Sequence, residues 1–533
     1  MFFVLIFCHF FVFSDWHTEN NGNRKGKIVI KSVIDYLEAS AERYGNKPAY
    51  IDENRTITFR ELKEDALCIA SGLADVVQIG TPVVVYMEKS VECIEGFLGV
   101  SYTGGFYVPI DTAMPYARVK LILDTLQAKV VLTRKCETLP DEMINDLQVF
   151  YIEDLVNKNE IRAELIEERQ RRRIDTDPIY AIFTSGSTGV PKGVLISQRS
   201  VINFTEWWCE TFEFTEEEVF ANQTPFYFDA SVKDIYATLR CGATMYIVPK
   251  KLFSLPVQLV TYLNDNKINC IDWVPSVLCM IANFRTFEKV KPLYLKKVMF
   301  LGEVMPTKIF NIWRRTLPDV KYANLYGPTE ATGDCTYYKI EREFADTEPI
   351  PIGYACNNTE VILLNEHKVP VQGEEIGEIC VRGCSLALGY YNNREKTDEV
   401  FVENPLQKNY RELIYRTGDL GKYNSYGEIV FVSRIDSQIK HMGHRIELGE
   451  IETAIGALEE INRICCLFSP KTQKIVAVYE GDTDAKSLTA KLKEHLPRYM
   501  IPNVYHKVEA MPINLNGKID RAALKKQYIE SDS

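Results

Sequence analysis

The chain has 533 residues, too many for one compact core, so two to four domains are expected. With 46% hydrophobic residues, 25% charged residues and a net charge of −11, the composition is that of a globular protein. The balance argues against a nucleic-acid partner: the one dense basic run, Arg171-Arg172-Arg173, lies beside Glu167, Glu168 and Asp175 and reads as a solvated linker. The 14 cysteines include no CxxC pair and the seven histidines no metal-ligand spacing, which predicts reduced thiols in a cytoplasmic protein and no zinc site.

At the N-terminus, Met1 to Phe13 is nearly all apolar. It lacks a basic flank and a small-residue cleavage site, and it is too short to cross a bilayer as a helix. Residues 1–26 therefore read as a non-native or signal-like tail, with a weak secretion signal or a membrane anchor as the other readings. No membrane partner is expected for the rest of the chain. From Val33 to Leu73 the pattern is helical, broken by an extended piece from Ala49 to Phe59. Val83-Val84-Val85-Tyr86 predicts a buried strand, Ser90 to Gly99 a helix, and Val130-Val131-Leu132-Thr133 another strand. Ala181-Ile182-Phe183 predicts a strand that ends in a glycine-rich loop. This alternation predicts an α/β fold with largely parallel sheets. The last hundred residues differ. A strand from Gly427 to Val432 runs into Ser433-Arg434-Ile435-Asp436, and a polar stretch follows. A helix from Leu448 to Leu458, an apolar strand pair from Ile464 to Tyr479 and a helix from Ala485 to His495 then predict a small α+β domain, with its boundary near Asp436.

Phe183-Thr184-Ser185-Gly186-Ser187-Thr188-Gly189-Val190-Pro191-Lys192-Gly193 is the most informative stretch. Its small hydroxyl residues and glycines let backbone N–H groups approach phosphate oxygens, and Lys192 adds positive charge. The spacing is not that of a Walker loop, in which Lys is followed at once by Ser or Thr.

The stretch resembles the signature of the adenylate-forming superfamily, which includes acyl-CoA synthetases, luciferases and the adenylation domains of nonribosomal peptide synthetases. Further motifs follow in that family's order. They are Thr58-Phe59-Arg60-Glu61-Leu62, Gly105 to Asp111, Phe228-Asp229-Ala230-Ser231, Asn324-Leu325-Tyr326-Gly327-Pro328-Thr329-Glu330, Tyr415 to Leu420, Arg434 to Glu450, and Asn516 to Arg521. The resemblance covers residues 30 to 530. It implies a large AMP-binding domain of β-sheets flanked by helices (27–434), a hinge (435–436) centred on Asp436, and a small mobile α+β domain (437–533). Gln198 stands where the family often has His, and Ser433 where it usually has Gly. The first departure implies an altered gating of the acyl pocket.

By this resemblance the cofactors are ATP and Mg²⁺. Thr184, Ser185, Gly186, Ser187, Thr188, Gly189 and Lys192 would hold the phosphates, Thr329 would contact the α-phosphate, and Glu330 would bind Mg²⁺. Tyr326 would stack on adenine, with Gly302, Glu303, Asn324 and Gly327 around it. Asp419 would take the ribose hydroxyls, with Arg434 nearby. Lys518 would bridge the reacting carboxylate and the α-phosphate. After adenylation the small domain would rotate and present Gly443 to a thiol tunnel.

Asp229 implies an amino-acid substrate, because in amino-acid-activating members an aspartate here pairs with the α-ammonium. The rest of the pocket would be Ala230, Lys233, Asp272, Met299, Leu301, Leu325, Gly333 and Asp334. A buried lysine needs a partner. A substrate γ-carboxylate would supply one, which favours glutamate; an internal Lys233–Asp272 pair would favour glutamine. The expected function is formation of an aminoacyl-AMP, then transfer of the acyl group to the phosphopantetheine thiol of a separate carrier protein, or to CoA as an acyl-CoA synthetase does. Gly302-Glu303-Val304-Met305 also resembles D-alanine–carrier-protein ligases. A degenerate nucleotide-binding subunit is the non-enzymatic alternative.

Overall fold

The computed structural model of the chain describes residues 29–158, 160–186, 189–435, 438–513 and 519–530. The expected tail and the candidate residues Ser187, Thr188, Asp436 and Lys518 lie outside the described residues.

Val83, Val84, Val85 and Tyr86 are all buried, as a parallel strand covered on both faces requires. Their strand, Pro82–Tyr86, pairs in parallel with Phe106–Ile110 and Val130–Thr133. Among the described residues these belong to a seven-stranded sheet ordered Gly389–Tyr390, Lys192–Ser197, Pro178–Thr184, Phe106–Ile110, Pro82–Tyr86, Val130–Thr133, Gln148–Tyr151. A nine-stranded sheet runs Tyr354–Ala355, Thr336–Lys339, Lys321–Tyr326, Lys297–Phe300, Cys270–Trp273, Val219–Asn222, Thr244–Ile247, Pro48–Ile51, Thr56–Thr58. Both sheets are parallel at the centre and antiparallel towards an edge. Helix Val91–Thr103 is buried at every position except Glu92, the pattern of a helix enclosed on all sides.

The first motif of the resemblance does folding work. Thr58 caps helix Phe59–Leu73: its hydroxyl accepts from the Glu61 N–H (3.3 Å), and the Glu61 carboxylate accepts from the Thr58 N–H (2.9 Å). The departure at Gln198 also does folding work. Gln198 is fully buried and its side-chain oxygen accepts from the Val33 N–H at 3.1 Å, ahead of helix Ile34–Tyr44.

Towards the C-terminus, Thr359–Leu364, Gly377–Gly383, Leu413–Tyr423, Phe401–Glu403 and Ile429–Arg434 form a five-stranded sheet among the described residues. Strands Ile461–Ser469 and Lys474–Gly481 pair antiparallel, and Val504–Lys507 adds in parallel. With helices Leu448–Gly456 and Ala485–Leu492 they enclose a core of their own that includes Ile451, Ile455, Ile475, Leu488 and Leu492.

The stretch expected only to be polar contains a β-hairpin, Gln438–His441 paired with His444–Glu447. Its two-residue turn holds Met442 at φ 52° and Gly443 at φ 78°. Both are left-handed, as a turn matched to strand twist requires. Asn or Asp before Gly usually announces such a turn, and Met442 conceals it. From Lys31 onward the described residues form one compact unit. Among the described residues no helix is long and apolar enough to cross a membrane.

Candidate active site

Strand Pro178–Thr184 leads into the glycine-rich loop and strand Lys192–Ser197 returns antiparallel, with Thr184 opposite Lys192. The loop joins two strands rather than a strand and a helix, in keeping with its non-Walker spacing. A Cβ on Gly186 would lie 2.0 Å from the Val190 carbonyl oxygen, so no larger residue fits this path. Thr184 is buried, and its hydroxyl has no hydrogen-bond partner among the described residues. A buried, unpaired hydroxyl beside a glycine-rich loop suits a phosphate oxygen. The Ser185 hydroxyl donates to the Arg445 carbonyl (3.0 Å) and accepts from the Glu447 N–H (3.2 Å). Burial, then Arg445, lowers the Lys192 pKa against the pull of Glu330.

Strand Lys321–Tyr326 delivers the next motif. Glu330 has no exposure to solvent. Its carboxylate accepts from the Arg445 guanidinium (2.7 Å) and from the Tyr390 hydroxyl (2.7 Å). Burial pushes the Glu330 carboxyl up, but Arg445, Lys192 and Tyr390 together outweigh it and hold it down at about 2. An ionised carboxylate is a hard oxygen donor, and Mg²⁺ is commonly bound by one or two carboxylates with substrate phosphates completing the shell. Glu330 fits that role; no group of three or more His, Cys, Asp or Glu placed to hold a metal occurs among the described residues.

The Tyr326 hydroxyl donates to Asp419 (2.6 Å), and Arg434 donates to the other Asp419 oxygen (2.5 Å). Asp419 and Arg434 face each other across paired strands. Asn324 is buried and donates to the Pro351 carbonyl (2.8 Å). One Glu303 oxygen accepts from the Ser276 N–H (2.9 Å) and the other from the Gly443 N–H (2.8 Å), so Glu303 ties a helix start to the hairpin turn.

Asp229 sits at the N-cap of helix Ala230–Cys241, yet its side chain makes no capping bond. An uncapped aspartate at that position is free for another use. It is partly buried, and burial raises its pKa while the neighbouring Thr329 side chain lowers it. One turn on, Lys233 is buried against Asp272 (2.5 Å) and Asp334 (3.0 Å), 5.3 Å from the centre of the Trp208 ring. Burial alone would favour the neutral amine; the two aspartates outweigh it and keep the ammonium charged. Burial, partly offset by Lys233, pushes the Asp334 carboxyl up to about 6. Asp272 pairs in register with Met299, and Met299, Leu301 and Leu325 are buried. Gly333 has no atom within 4 Å of where a Cβ would stand, which leaves open space there. Ala230 and Gly327 are partly exposed neighbours of the same motifs.

Contacts from the C-terminal part close the site. His444 stacks on Tyr499 (3.8 Å) and meets Phe228 edge-on (4.8 Å). Burial pushes its imidazole down to about 3, which keeps it neutral. Arg445, Tyr390, Glu450 and Arg118 escaped sequence reasoning as site residues. Arg445 and Glu450 lay inside a quoted motif, but no spacing rule points a hairpin arginine at Glu330.

A phosphate-suited loop, an ionised buried carboxylate and a buried acidic cluster around Lys233 fit a nucleotide-using α/β enzyme. Residues 37–391 match the family described as AMP-binding enzyme. The chain belongs to that family, and so to the AMP-forming ligases.

Relatives are consistent with this. Tyrocidine synthase 1 of Brevibacillus parabrevis is 33% identical over 502 residues, covering 93% of this chain but only 45% of its own length. Zwittermicin A synthase ZmaJ of Bacillus cereus is 32% identical, covering 92% of this chain and 93% of itself. A D-alanine–D-alanyl carrier protein ligase of Bacillus cytotoxicus is 29% identical, covering 92% and 98%. The chain thus spans less than half of the first of these and nearly all of the other two. Among solved structures, holo-PA1221, a nonribosomal peptide synthetase protein containing adenylation and PCP domains, superposes with a TM-score of 0.80 at 24% identity, covering 93% of this chain and 84% of that one. At that identity the likeness is one of fold.

Proposed function

We propose that the protein adenylates an amino acid with ATP and passes the acyl group to the phosphopantetheine thiol of a carrier protein. The observation that carries this reading is the approach of Thr329 to Asp229, close enough for its side chain to lower the carboxylate's pKa against the larger effect of burial. It joins the anchor proposed for the α-ammonium to the residue proposed for the α-phosphate, so an amino acid held by Asp229 would present its carboxylate beside the phosphate. Proximity of this kind is the main resource for joining two anions, with charge neutralisation second. Lys518 would neutralise the reacting carboxylate, and Glu330 would hold Mg²⁺, which when bound supplies positive charge to the phosphates. Tyr326 and Asp419 would orient the nucleoside. A carrier as acceptor is supported by the PCP domain of holo-PA1221 and by the name of the carrier protein ligase relative.

For the side chain we propose a polar substrate: the internal Lys233–Asp272 pair favours glutamine, and glutamate is the second reading, in which its γ-carboxylate reaches the same buried ammonium. Asp272 and Asp334 already contact that ammonium. A γ-carboxylate would join them with Asp334 carrying the proton, whereas a γ-amide would bind as a donor to Asp334. Charge-assisted hydrogen bonds contribute about 1.5–3 kcal/mol, so Lys233→Ala is expected to lower the preference for glutamine or glutamate over alanine by roughly ten- to a hundredfold. The same variant strands two buried carboxylates and is expected to lose about 3–5 kcal/mol of stability. Selectivity is therefore read as a ratio of ATP–pyrophosphate exchange rates with glutamate, glutamine and alanine within each protein. An unchanged ratio would make Lys233 a structural cation only. A wild-type preference for D-alanine would make the protein a D-alanine–carrier ligase.

A further inference from the structure

The basic run Arg171-Arg172-Arg173 reads from the sequence as solvated, and the structure divides it. Arg171 and Arg172 end helix Ala163–Arg172 exposed to solvent, whereas Arg173 is only 2% exposed. The Arg173 Nη1 donates to the Ser101 carbonyl (2.6 Å), the Ser32 hydroxyl (3.1 Å) and the Gln170 side-chain oxygen (3.3 Å). These bonds draw together the end of that helix, helix Val91–Thr103 and the chain just ahead of helix Ile34–Tyr44. All three acceptors are neutral. Asp177 and Asp35 act on the guanidinium only from a distance, and it forms no ion pair among the described residues. Each of those carboxylates is turned to backbone: Asp177 accepts from the Ile174 N–H (3.1 Å), and Asp35 from the Lys31 and Ser32 N–H groups (2.8 and 3.2 Å).

The other edge of the guanidinium, Nε with Nη2, is buried and has no hydrogen-bond partner among the described residues. Elsewhere in the chain that same edge grips a carboxylate. In Arg199 it takes both Asp175 oxygens (2.8 and 2.7 Å), and in Arg416 it takes one Glu378 oxygen (2.9 and 2.6 Å). Burial lowers the Arg173 pKa to about 10, which leaves it charged at neutral pH. A buried charge is costly unless it is paired. We propose that the Nε–Nη2 edge of Arg173 binds a small monovalent anion of the halide class as an internal counter-ion. Two parallel N–H donors on a rigid fork hold one anion from both sides. A water molecule would accept from the fork but leave the charge uncompensated. The Ser101 hydroxyl, buried and without a partner on the residue whose carbonyl anchors Nη1, is the next donor to hand. The bound anion fastens the chain entry at Ser32 to two helices, so stability rather than turnover follows its concentration. The site is independent of the adenylation chemistry.

The test uses the full chain and two readouts. Crystals soaked in bromide are expected to show an anomalous peak in contact with Nε and Nη2 of Arg173. Thermal unfolding is then followed as chloride is exchanged for a bulky organic anion at constant ionic strength. The wild-type midpoint is expected to fall by roughly 2 °C or more, as loss of a ligand bound only by the folded state requires. In Arg173→Met, which removes both the charge and the fork, the midpoint is expected to be the same in the two salts. A water at the edge, or bromide on exposed side chains and none at Arg173, would overturn the proposal. So would the same salt dependence in wild type and Arg173→Met. The bromide result stands whether or not the variant folds.

Discussion

Alanine at position 518 is expected to abolish ATP–pyrophosphate exchange, by at least about three orders of magnitude, while leaving the fold intact. The substrate carboxylate and the α-phosphate are both anions, and they repel until a cation lies between them. Lys518, by resemblance, is that cation: a compact charge on a flexible stem. Removing a single preorganised donor to developing charge already costs about two to three orders of magnitude, and here the donor also carries the charge. The role assigned to Lys518 is toward the reacting anions rather than toward the fold, so the midpoint of thermal unfolding is expected to stay put. Acyl transfer from supplied aminoacyl-AMP is expected to survive, since that step no longer joins two anions. Wild-type exchange in this variant would remove Lys518 from the chemistry.

The second large effect is expected at Asp229. Deleting one partner of a desolvated ion pair costs about 3–5 kcal/mol, which predicts a loss of amino-acid-dependent exchange of roughly two to three orders of magnitude in Asp229→Ala. The fold itself should not pay for the change. Asp229 makes no N-cap hydrogen bond, and burial already disfavours its charged form in the free protein. Thermal unfolding is therefore expected to be unchanged or slightly raised. An inactive but stable variant marks Asp229 as an anchor; full activity would mean that the substrate is not an α-amino acid held this way.

What the sequence made legible follows local rules. Val83 to Tyr86 announced a buried parallel strand because both its faces are apolar. The helices from Leu448 and Ala485 were readable because periodicity is local, whereas Thr58 to Leu62 was quoted only as a motif and its capping role emerged from the structure. The phosphate loop was readable because glycines and hydroxyls at that density serve few other ends. The hairpin at 438–447 was not, because Met442 adopts a left-handed turn position that asparagine usually marks. The partners of Lys233 were left open between substrate and protein. Their choice depends on the parallel register that sets Asp272 beside Met299 and on the turn that carries Asp334, 101 residues from Lys233. Arg445 on Glu330 was hidden for the same reason at a separation of 115 residues. The bond from Val33 to Gln198, which holds the chain entry to the first helix, was hidden too, because it spans 165 residues.

The central claim is that an amino acid is activated as its adenylate. ATP–pyrophosphate exchange, measured with the full chain and Mg²⁺ across the twenty amino acids and D-alanine, tests it most directly. The account predicts exchange that depends on an added amino acid and is greatest with glutamate or glutamine. Exchange that no amino acid stimulates, in a protein that binds ATP, would contradict it.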